Sequence, residues 1–235
     1  MNPWDDPRIA RGTKAQLATR RARIAAGEQP LGWKVGFGAP AMMEKLGITA
    51  PLVGYLMRGA LVASGATVSL TGWMQPVSEP EIAARMAKDV AAGASRDQAL
   101  AAIASLTPAI EMADLDPLPT ADTIAAVIAA DIYQRHVVLG DTSRAGGGTA
   151  GLTARIIRRG AEVARTTEPE AATGRIVDTV LLVANTLAAF GEKLAAGDII
   201  ICGSIVPPPL LDPDETAFAY ALDPVGEVSV RFSRG

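Results

Sequence analysis

The 235-residue chain has a single cysteine, Cys202, and a single histidine, His136. One cysteine excludes a disulfide framework within the chain and is typical of a reducing compartment, so we expect a cytoplasmic protein. Cys202 follows Ile199-Ile200-Ile201, which is the pattern of a buried strand. We therefore expect Cys202 to pack in the core rather than to act as a nucleophile.

The chain also lacks a strong charge of either sign and a long apolar run. Its net charge is −3, which gives no electrostatic footprint for nucleic acid or an anionic membrane surface. The longest apolar stretch, residues 177–190, is interrupted by Asp178, Asn185 and Thr186. The N-terminus shows neither the basic start nor the apolar core of a signal peptide. We expect no nucleic-acid partner and no membrane partner.

Three carboxylates carry most of the chemical information. Glu79 and Glu81 are two residues apart in an apolar segment, so an extended strand would place both side chains on one face. Glu111 lies in a second short apolar run. Three carboxylates on neighbouring strands would suit Mg²⁺ or Mn²⁺, and with no Cys or His nearby they would not suit Zn²⁺. The spacing alone leaves open a solvated strand face, where the Glu-x-Glu pattern is also common.

The order of the elements predicts an α+β protein. The first 28 residues read as an amphipathic helix, so we assign 1–30 to an N-terminal helical segment and 31–235 to the main domain. Further helices are predicted over 95–106, which a Ser95–Gln98 capping box would open, and over 120–132 and 175–190. The late strands include a predicted hairpin over 153–166 and a final strand pair over 216–222 and 227–232. They are joined by short turns, which favours antiparallel or mixed sheets. Pro80 cannot donate a ladder hydrogen bond, so the strand over 78–86 is predicted to be an edge or to carry a bulge.

Several segments together resemble the 2-keto-4-pentenoate hydratase and 4-oxalocrotonate decarboxylase group of the fumarylacetoacetate hydrolase superfamily. Gly32-Trp33-Lys34-Val35-Gly36 resembles the G-[YW]-K-[IV]-G segment of that group. The segments around Glu79-Pro80-Glu81 and Ile110-Glu111 resemble its metal-binding strands. Leu187–Gly191, Ala196–Ile200 and Gly203-Ser204 resemble its helix–turn–strand signature, and Val228–Phe232 resembles its last strand.

The resemblance implies that residues 31–235 are the catalytic domain, a roll of mixed β-sheets with flanking helices, assembled as a homo-oligomer. It implies that Glu79, Glu81 and Glu111 bind Mg²⁺ or Mn²⁺ and that the substrate is a short 2-oxo- or 2-hydroxy-carboxylate from the degradation of aromatic compounds. Lys34 would bind the substrate carboxylate or move a proton, and Ser204 is a second substrate-binding candidate. A structural lysine at the strand edge is the alternative for Lys34.

Two segments depart from the pattern of the group. Hydratases of the group carry an acidic residue two positions before a glycine, where this chain has Leu52 before Gly54. The segment 132–136 has bulky polar residues in place of a small, Ser-containing stretch. We name Arg135 and His136 as catalytic candidates there and predict that Arg135 reaches toward the metal, where a guanidinium could clamp a second carboxylate. A structural role for the lone histidine stays open.

The leading functional hypothesis is a metal-dependent hydro-lyase that adds water to a 2-hydroxy-alkadienoate or 2-oxo-enoate and gives a 4-hydroxy-2-oxo acid. The first alternative is decarboxylation of a 2-oxo-dioate of the 4-oxalocrotonate type. Hydrolysis of an acylpyruvate is a third reaction, for which no clear His–Glu pair is present. A further alternative is a catalytically impaired subunit that forms a complex with an active hydratase or decarboxylase paralogue.

Overall fold

The computed structural model of the protein describes residues 2–234, which form two β-sheets with helices packed around them. The α-helices are α1 (Pro7–Ala25), α2 (Pro40–Leu46), α3 (Arg96–Ala102), α4 (Ile124–Ala129) and α5 (Ile176–Ala189). The strands are β1 (Pro30–Gly36), β2 (Leu52–Met57), β3 (Leu61–Ala63), β4 (Thr67–Ser69), β5 (Pro76–Met86), β6 (Ile103–Asp114), β7 (Gln134–Leu139), β8 (Arg144–Ala145), β9 (Thr153–Arg158), β10 (Ala161–Thr166), β11 (Ile199–Ser204), β12 (Ala217–Asp223) and β13 (Gly226–Ser233).

The larger sheet has the strand order β2-β1-β11-β5-β6-β7-β3, with β8 paired to β6. The pairs β1–β11 and β3–β7 are parallel, and the other pairs in this order are antiparallel. The edge strands β2 and β3 are joined by the single 3₁₀ turn Arg58–Ala60. Because so short a connection keeps the two edges close together, the sheet must curl into a roll.

The smaller sheet has the order β10-β9-β12-β13-β4 and packs against the outer face of the roll. The main core lies between the two sheets, where Ile110 and Met112 of the roll meet Phe218, Tyr220 and Val230 of the smaller sheet. The predicted hairpin over 153–166 and the final strand pair are both present. These observations confirm the predicted mixed sheets.

The N-terminal helix α1 begins at Asp6, whose carboxylate accepts a hydrogen bond from the Arg8 backbone nitrogen at 2.8 Å, with a proline at the first helical position. The helix packs against α4, and a Cβ atom at Gly12 would lie 2.8 Å from the Ala125 carbonyl oxygen. Its buried face includes Gln16. The division of the chain at residue 30 stays a prediction, but α1 reaches the interior of the protein.

The structure corrects the predicted ends of two helices. The helix predicted over 95–106 ends at Ala102, because pairing of β6 with β5 takes Ile103 into the sheet. Its predicted Ser95–Gln98 capping box is present. The helix predicted over 120–132 ends at Ala129 and is followed by a left-handed turn.

Pro80 does not lie on an edge strand, since β5 has β11 on one side and β6 on the other. The Pro80 carbonyl oxygen accepts a hydrogen bond from the Ile205 backbone nitrogen. Because the N–H and C=O of one strand residue point to the same side, the N–H that Pro80 lacks would also point toward β11. The register of β11 on β5 shifts between Ile201 and Ser204 at this level. The irregularity that tolerates Pro80 is therefore in the neighbouring strand.

Candidate metal and substrate site

The register of β5 on β6 brings the three predicted carboxylates to one face of the roll. Glu79 lies directly opposite Glu111, and Glu81 lies opposite Ala109. Residues opposite each other in an antiparallel pair share a face, and residues two apart in one strand do so as well. Glu79, Glu81 and Glu111 therefore project from the same side of the sheet.

That side is the inner surface of the roll, and its floor is apolar. The floor consists of Leu31, Leu56, Ala83, Ala109, Val137, Ile199 and Ile201. Glu81 and Glu111 are almost completely buried, whereas Glu79 is only partly covered. The carboxylates thus lie beside an apolar floor, and Glu79 is the most exposed of the three.

Lys34 reaches the carboxylates from β1. It lies opposite Gly54 of β2 and beside Ile201 of β11, and its side chain is 2% exposed. Its ammonium forms a short ion pair with Glu111 and donates to the Ile132 carbonyl oxygen at 3.0 Å. A lysine snorkelling to water from a strand edge is not what the structure shows. Lys34 is a buried cation aimed at the carboxylate cluster.

Gly54 makes room for the lysine. A Cβ atom at this position would lie 2.8 Å from Lys34 Cγ and 3.0 Å from Asp131 Oδ1. Any larger residue would push the lysine stem or the Asp131 carboxylate aside. The close approach of these two side chains across Gly54 therefore depends on the glycine.

Burial controls the electrostatics of the cluster. Burial and then the charge of Glu111 raise the pKa of Glu79 to about 8. Burial, Glu111 and Glu79 raise the pKa of Glu81 well above its usual range. For Lys34, burial lowers the pKa, but the charge of Glu111 and the hydrogen bond to it outweigh burial, so the pKa is raised. One cation thus faces three carboxylates that resist ionisation together.

The carboxylate oxygens of Glu79, Glu81 and Glu111 are ligands of the type that a hard divalent cation prefers. Their side chains are not yet arranged around one ion position. Within residues 2–234, no group of three or more His, Cys, Asp or Glu side chains has the arrangement that holds a metal ion. Glu111 is engaged by Lys34, and Glu81 Oε2 accepts from the Gly203 backbone nitrogen at 2.6 Å. Glu81 Oε1 is buried with no hydrogen-bond partner. Such an orphaned oxygen is the kind of atom that a cation would satisfy.

Binding of a divalent cation would therefore require the glutamate side chains to rotate, while the pairing of β5 with β6 stays the same. The residues that could hold the ion are Glu79, Glu81 and Glu111, which supply only oxygen atoms, as Mg²⁺ and Mn²⁺ prefer. A divalent charge would also reverse the direction of the pKa shifts of the three carboxylates.

Ser204 lies beside the cluster, opposite Glu81 in the ladder between β11 and β5. Its hydroxyl donates to the Val206 carbonyl oxygen at 2.7 Å and is therefore engaged within its own turn. Its predicted role in substrate binding is untested by this geometry. The neighbouring Cys202 is buried, and burial raises the pKa of its thiol, as expected for a packing residue.

The structure does not bring Arg135 or His136 to the carboxylates. Because Glu111 pairs with Val137, His136 lies on the opposite face, where its ring stacks on Trp73 with centroids 6.0 Å apart. Arg135 lies at a register shift between β6 and β7, and its side chain is 55% exposed. Its Nη2 atom lies 3.5 Å from Asp114 Oδ2. The predicted reach of Arg135 toward the metal does not occur, since the bulge turns its side chain to Asp114 and Trp73. Catalytic roles for both residues stay predictions that this placement does not favour.

Leu52 shares the face of Lys34 but has an apolar role. It packs with Ile9, Leu46 and Ile132 in a second buried cluster between α1, α4 and β2. The acid of the hydratase pattern is thus replaced by core packing. A different carboxylate, Asp131, is the nearest acid on that side of Lys34 and is buried.

Asp131 and Gln16 were not singled out from the sequence. Asp131 Oδ1 accepts hydrogen bonds from the Tyr55 backbone nitrogen at 2.9 Å and from Gln16 Nε2 at 3.2 Å. A charged residue in the apolar stretch 124–132 was the available signal for Asp131. For Gln16, the signal was a polar residue in line with Ile9, Thr13 and Leu17 on one helix face.

These features define an enzyme-like site, with buried carboxylates and a buried lysine on the inner face of a curled mixed sheet. The comparisons assign its family. Residues 37–231 match the family model of the fumarylacetoacetate (FAA) hydrolase C-terminal domain. The chain belongs to the fumarylacetoacetate hydrolase family.

Two hydratases are among the most similar relatives. The chain is 30% identical to 2-hydroxyhexa-2,4-dienoate hydratase of Comamonas testosteroni, over 91% of this chain and 82% of that one. It is 26% identical to a 2-keto-4-pentenoate hydratase of Paraburkholderia xenovorans, over 92% and 81% of the two chains. These relatives confirm the resemblance read from Gly32–Gly36 and from the carboxylate segments.

The solved structure of 4-oxalocrotonate decarboxylase from Pseudomonas putida G7, complexed with magnesium and adipate, matches this fold with a TM-score of 0.86. The match covers 99% of this chain and 90% of that chain at 24% sequence identity. It confirms the predicted fold class. Within residues 2–234, no helix is long and apolar enough to cross a membrane.

Proposed function

We propose that this protein is a divalent-metal-dependent hydratase that adds water to a 2-hydroxy-alkadienoate or 2-oxo-enoate and gives a 4-hydroxy-2-oxo acid. The observation that carries the proposal is the placement of Lys34 among Glu79, Glu81 and Glu111 on the inner face of the roll. The two hydratase relatives support it, as both are similar over most of their length.

The metal proposal has its own support. Glu79, Glu81 and Glu111 would hold Mg²⁺ or Mn²⁺, and the similar decarboxylase structure contains magnesium. When bound, the ion supplies a Lewis acid for the 2-oxo-carboxylate end of the substrate. Glu79, which is the least buried of the three, lies where a ligand would enter from solvent.

Lys34 is the other residue to which we assign a role in the reaction, either in substrate binding or in proton transfer. Its ammonium is a compact charge in a site of low dielectric constant, so it can bind the substrate carboxylate strongly. Alternatively, it can give a proton to the carbon skeleton, since its hydrogen bond to Glu111 holds the ammonium at the carboxylate cluster. The apolar floor offers no hydrogen-bond partner to water, so we expect the added water to enter from the side of Glu79, the most exposed of the three carboxylates.

Decarboxylation of a 2-oxo-dioate is the second candidate. It is favoured by the match to 4-oxalocrotonate decarboxylase, which was solved with the dicarboxylate adipate, and by Leu52 in place of the acid found in hydratases. The reaction would release carbon dioxide from the carboxyl group remote from the 2-oxo group. The electron pair of the broken C–C bond would pass into a dienolate, which takes up one proton. The same lysine and carboxylates would serve both reactions.

Product analysis separates the two candidates. The protein is loaded with Mg²⁺ or Mn²⁺ and incubated with a 2-hydroxy-alkadienoate and, separately, with a 2-oxo-enedioate. The molecular masses of the products are then measured by mass spectrometry. A hydratase gives a product heavier by one water, and a decarboxylase gives a product lighter by one carbon dioxide. Turnover of neither substrate, with metal present, would refute the proposed function and favour the impaired-subunit alternative.

Assembly and location complete the proposal. We expect a homo-oligomer, and exposed Met74, Leu118 and Leu210 are apolar side chains that subunit contacts could cover. A complex with a paralogue is a further expectation. A cytoplasmic location is proposed from the single free cysteine. Light scattering on the purified protein tests the first of these expectations, since a monomeric mass would contradict it.

A further inference from the structure

A strained turn holds the carbonyl group that binds Lys34. Asp131, Ile132 and Tyr133 have φ angles of 58°, 52° and 62°, so three consecutive non-glycine residues are in the left-handed region. This conformation is costly for L-residues and especially for a β-branched isoleucine. Strain of this kind persists only where the surrounding structure fixes it, and it collects at functional sites.

Asp131 supplies the contacts that fix the turn. Its carboxylate, which is 9% exposed, accepts from the Tyr55 backbone nitrogen of β2 and from the Gln16 side chain of α1. The backbone carbonyl oxygen of the next residue, Ile132, accepts a hydrogen bond from Lys34 Nζ at 3.0 Å. The path from Gln16 through Asp131 to the lysine thus consists of hydrogen bonds and one peptide unit.

The same arrangement fixes the lysine from its other side. Asp131 Oδ1 and the stem of Lys34 approach each other across Gly54, which leaves no space for a Cβ atom. The Ile132 side chain would lie 2.9 Å from a Cβ at Gly36, so β1 also fits closely under the turn. With the stem confined and the Ile132 carbonyl in place, the ammonium has one position in which to meet Glu111.

We propose that Asp131 and Gln16 are positioning residues for Lys34: they fix the left-handed turn whose Ile132 carbonyl holds the lysine ammonium against the carboxylate cluster. The proposal rests on the proposed function only for its kinetic consequence. It also makes helix α1, which lies outside the residues matched by the family model, part of the catalytic arrangement. Neither residue touches the substrate in this scheme.

The test compares three variants with a matched control. Asp131→Ala removes the oxygen that accepts both hydrogen bonds. Asp131→Asn keeps an acceptor oxygen and tolerates the left-handed region. Gln16→Met keeps the length of the side chain but removes its amide. The control is Asp198→Ala. Asp198 also accepts one side-chain and one backbone N–H, from Trp33 and Ala195, but on the opposite face of β1.

In the metal-loaded enzyme we expect kcat to fall about 100-fold in Asp131→Ala and about 10-fold in Gln16→Met, with KM changed much less, since small displacements of a catalytic group have effects of this size. Asp131→Asn should restore kcat to within about threefold. Asp198→Ala should lose thermal stability without losing kcat. Equal losses of kcat in Asp198→Ala and Asp131→Ala would overturn the proposal, because they would show a purely structural effect.

A structural measurement keeps this test independent of the proposed function. In crystal structures of Gln16→Met and Asp131→Ala, we expect Lys34 Nζ to leave the Ile132 carbonyl oxygen. If either structure retains that hydrogen bond and the left-handed turn, the proposal is wrong even if the wild type turns over every substrate offered. If the wild type turns over none of them but the lysine moves, the proposed function fails and the positioning role stands.

Discussion

The ammonium of Lys34 and the carboxylate of Glu111 form an ion pair in which the two side chains are 2% and 1% exposed. Removing two charges from water costs several kcal/mol per ion, and a buried pair seldom repays that cost in stability. Replacing such a pair by apolar residues would give a simpler core. A role of the pair in catalysis would explain why the protein tolerates this cost. The same cost determines the effects that we expect from substitutions at this site.

The first prediction concerns the metal. Added Mg²⁺ or Mn²⁺ should raise the melting temperature of the wild type, because an ion that binds only the folded state stabilises it by about 2.7 kcal/mol at 100 times its Kd. Glu111→Ala and Glu79→Ala should lose most of this shift, as measured by differential scanning fluorimetry. Glu215→Ala is the control, since Glu215 is a buried carboxylate paired with Arg158 in the smaller sheet. An equal shift in all four proteins would remove Glu79 and Glu111 from the site.

The second prediction concerns Lys34→Met. Loss of the buried cation should lower kcat/KM by about 100-fold or more, which is the usual contribution of a proton-transferring or charge-binding group. It should also destabilise the metal-free protein by about 3–5 kcal/mol, because Glu111 stays buried without its partner. Added Mg²⁺ should then raise the melting temperature more in this variant than in the wild type, since the ion replaces the missing charge. A smaller shift than in the wild type would argue against a shared site.

The third prediction concerns Arg135. This residue is more than half exposed and lies 3.5 Å from Asp114, so Arg135→Ala should change stability by less than about 1 kcal/mol. The ratio of kcat/KM for a dicarboxylate and a monocarboxylate substrate should stay the same as in the wild type. A selective loss of the dicarboxylate activity would return Arg135 to the substrate site and contradict its placement here.

The fourth prediction concerns pH and Asp131. Burial raises the pKa of Asp131 from 3.8 to about 7. The folded state therefore binds a proton that the unfolded state has released, and this residue's contribution to stability falls as pH rises from about 4 to about 7. Asp131→Asn does not titrate, so the free energy of unfolding of the wild type minus that of the variant should decrease over this range. Urea unfolding at several pH values measures it, and a difference that does not depend on pH would contradict the raised pKa.

The sequence was sufficient for the features that depend on local pattern. Glu79 and Glu81 share a face because side chains alternate along any strand. The Ser95–Gln98 box and the hairpin over 153–166 follow from short-range hydrogen bonds and turn chemistry. The resemblance carried by Gly32–Gly36 and Pro108–Glu111 added the family and the fold class, which the comparisons confirm.

Sequence reasoning failed where a contact between distant segments outweighed the local preference. Ala-rich residues up to 106 favour a helix, but pairing with β5 draws Ile103 into β6. Pro80 predicts an edge, yet a register shift in β11 lets it lie inside the sheet. Arg135 looked like a ligand for a second carboxylate, but a bulge opposite β6 turns it toward Asp114.

The amino-acid sequence by itself determined which groups are available: three glutamates at strand spacing, one lysine in a Gly-rich strand and a family signature. Tertiary structure alone decided which of them meet, because the register of β5 on β6 sets Glu79 against Glu111 and the curl of the sheet brings Lys34 to the same face. It also brought in Asp131 and Gln16, which are 115 positions apart. No local preference encodes such a contact, because the two side chains need each other as hydrogen-bond partners only where the folded protein buries both.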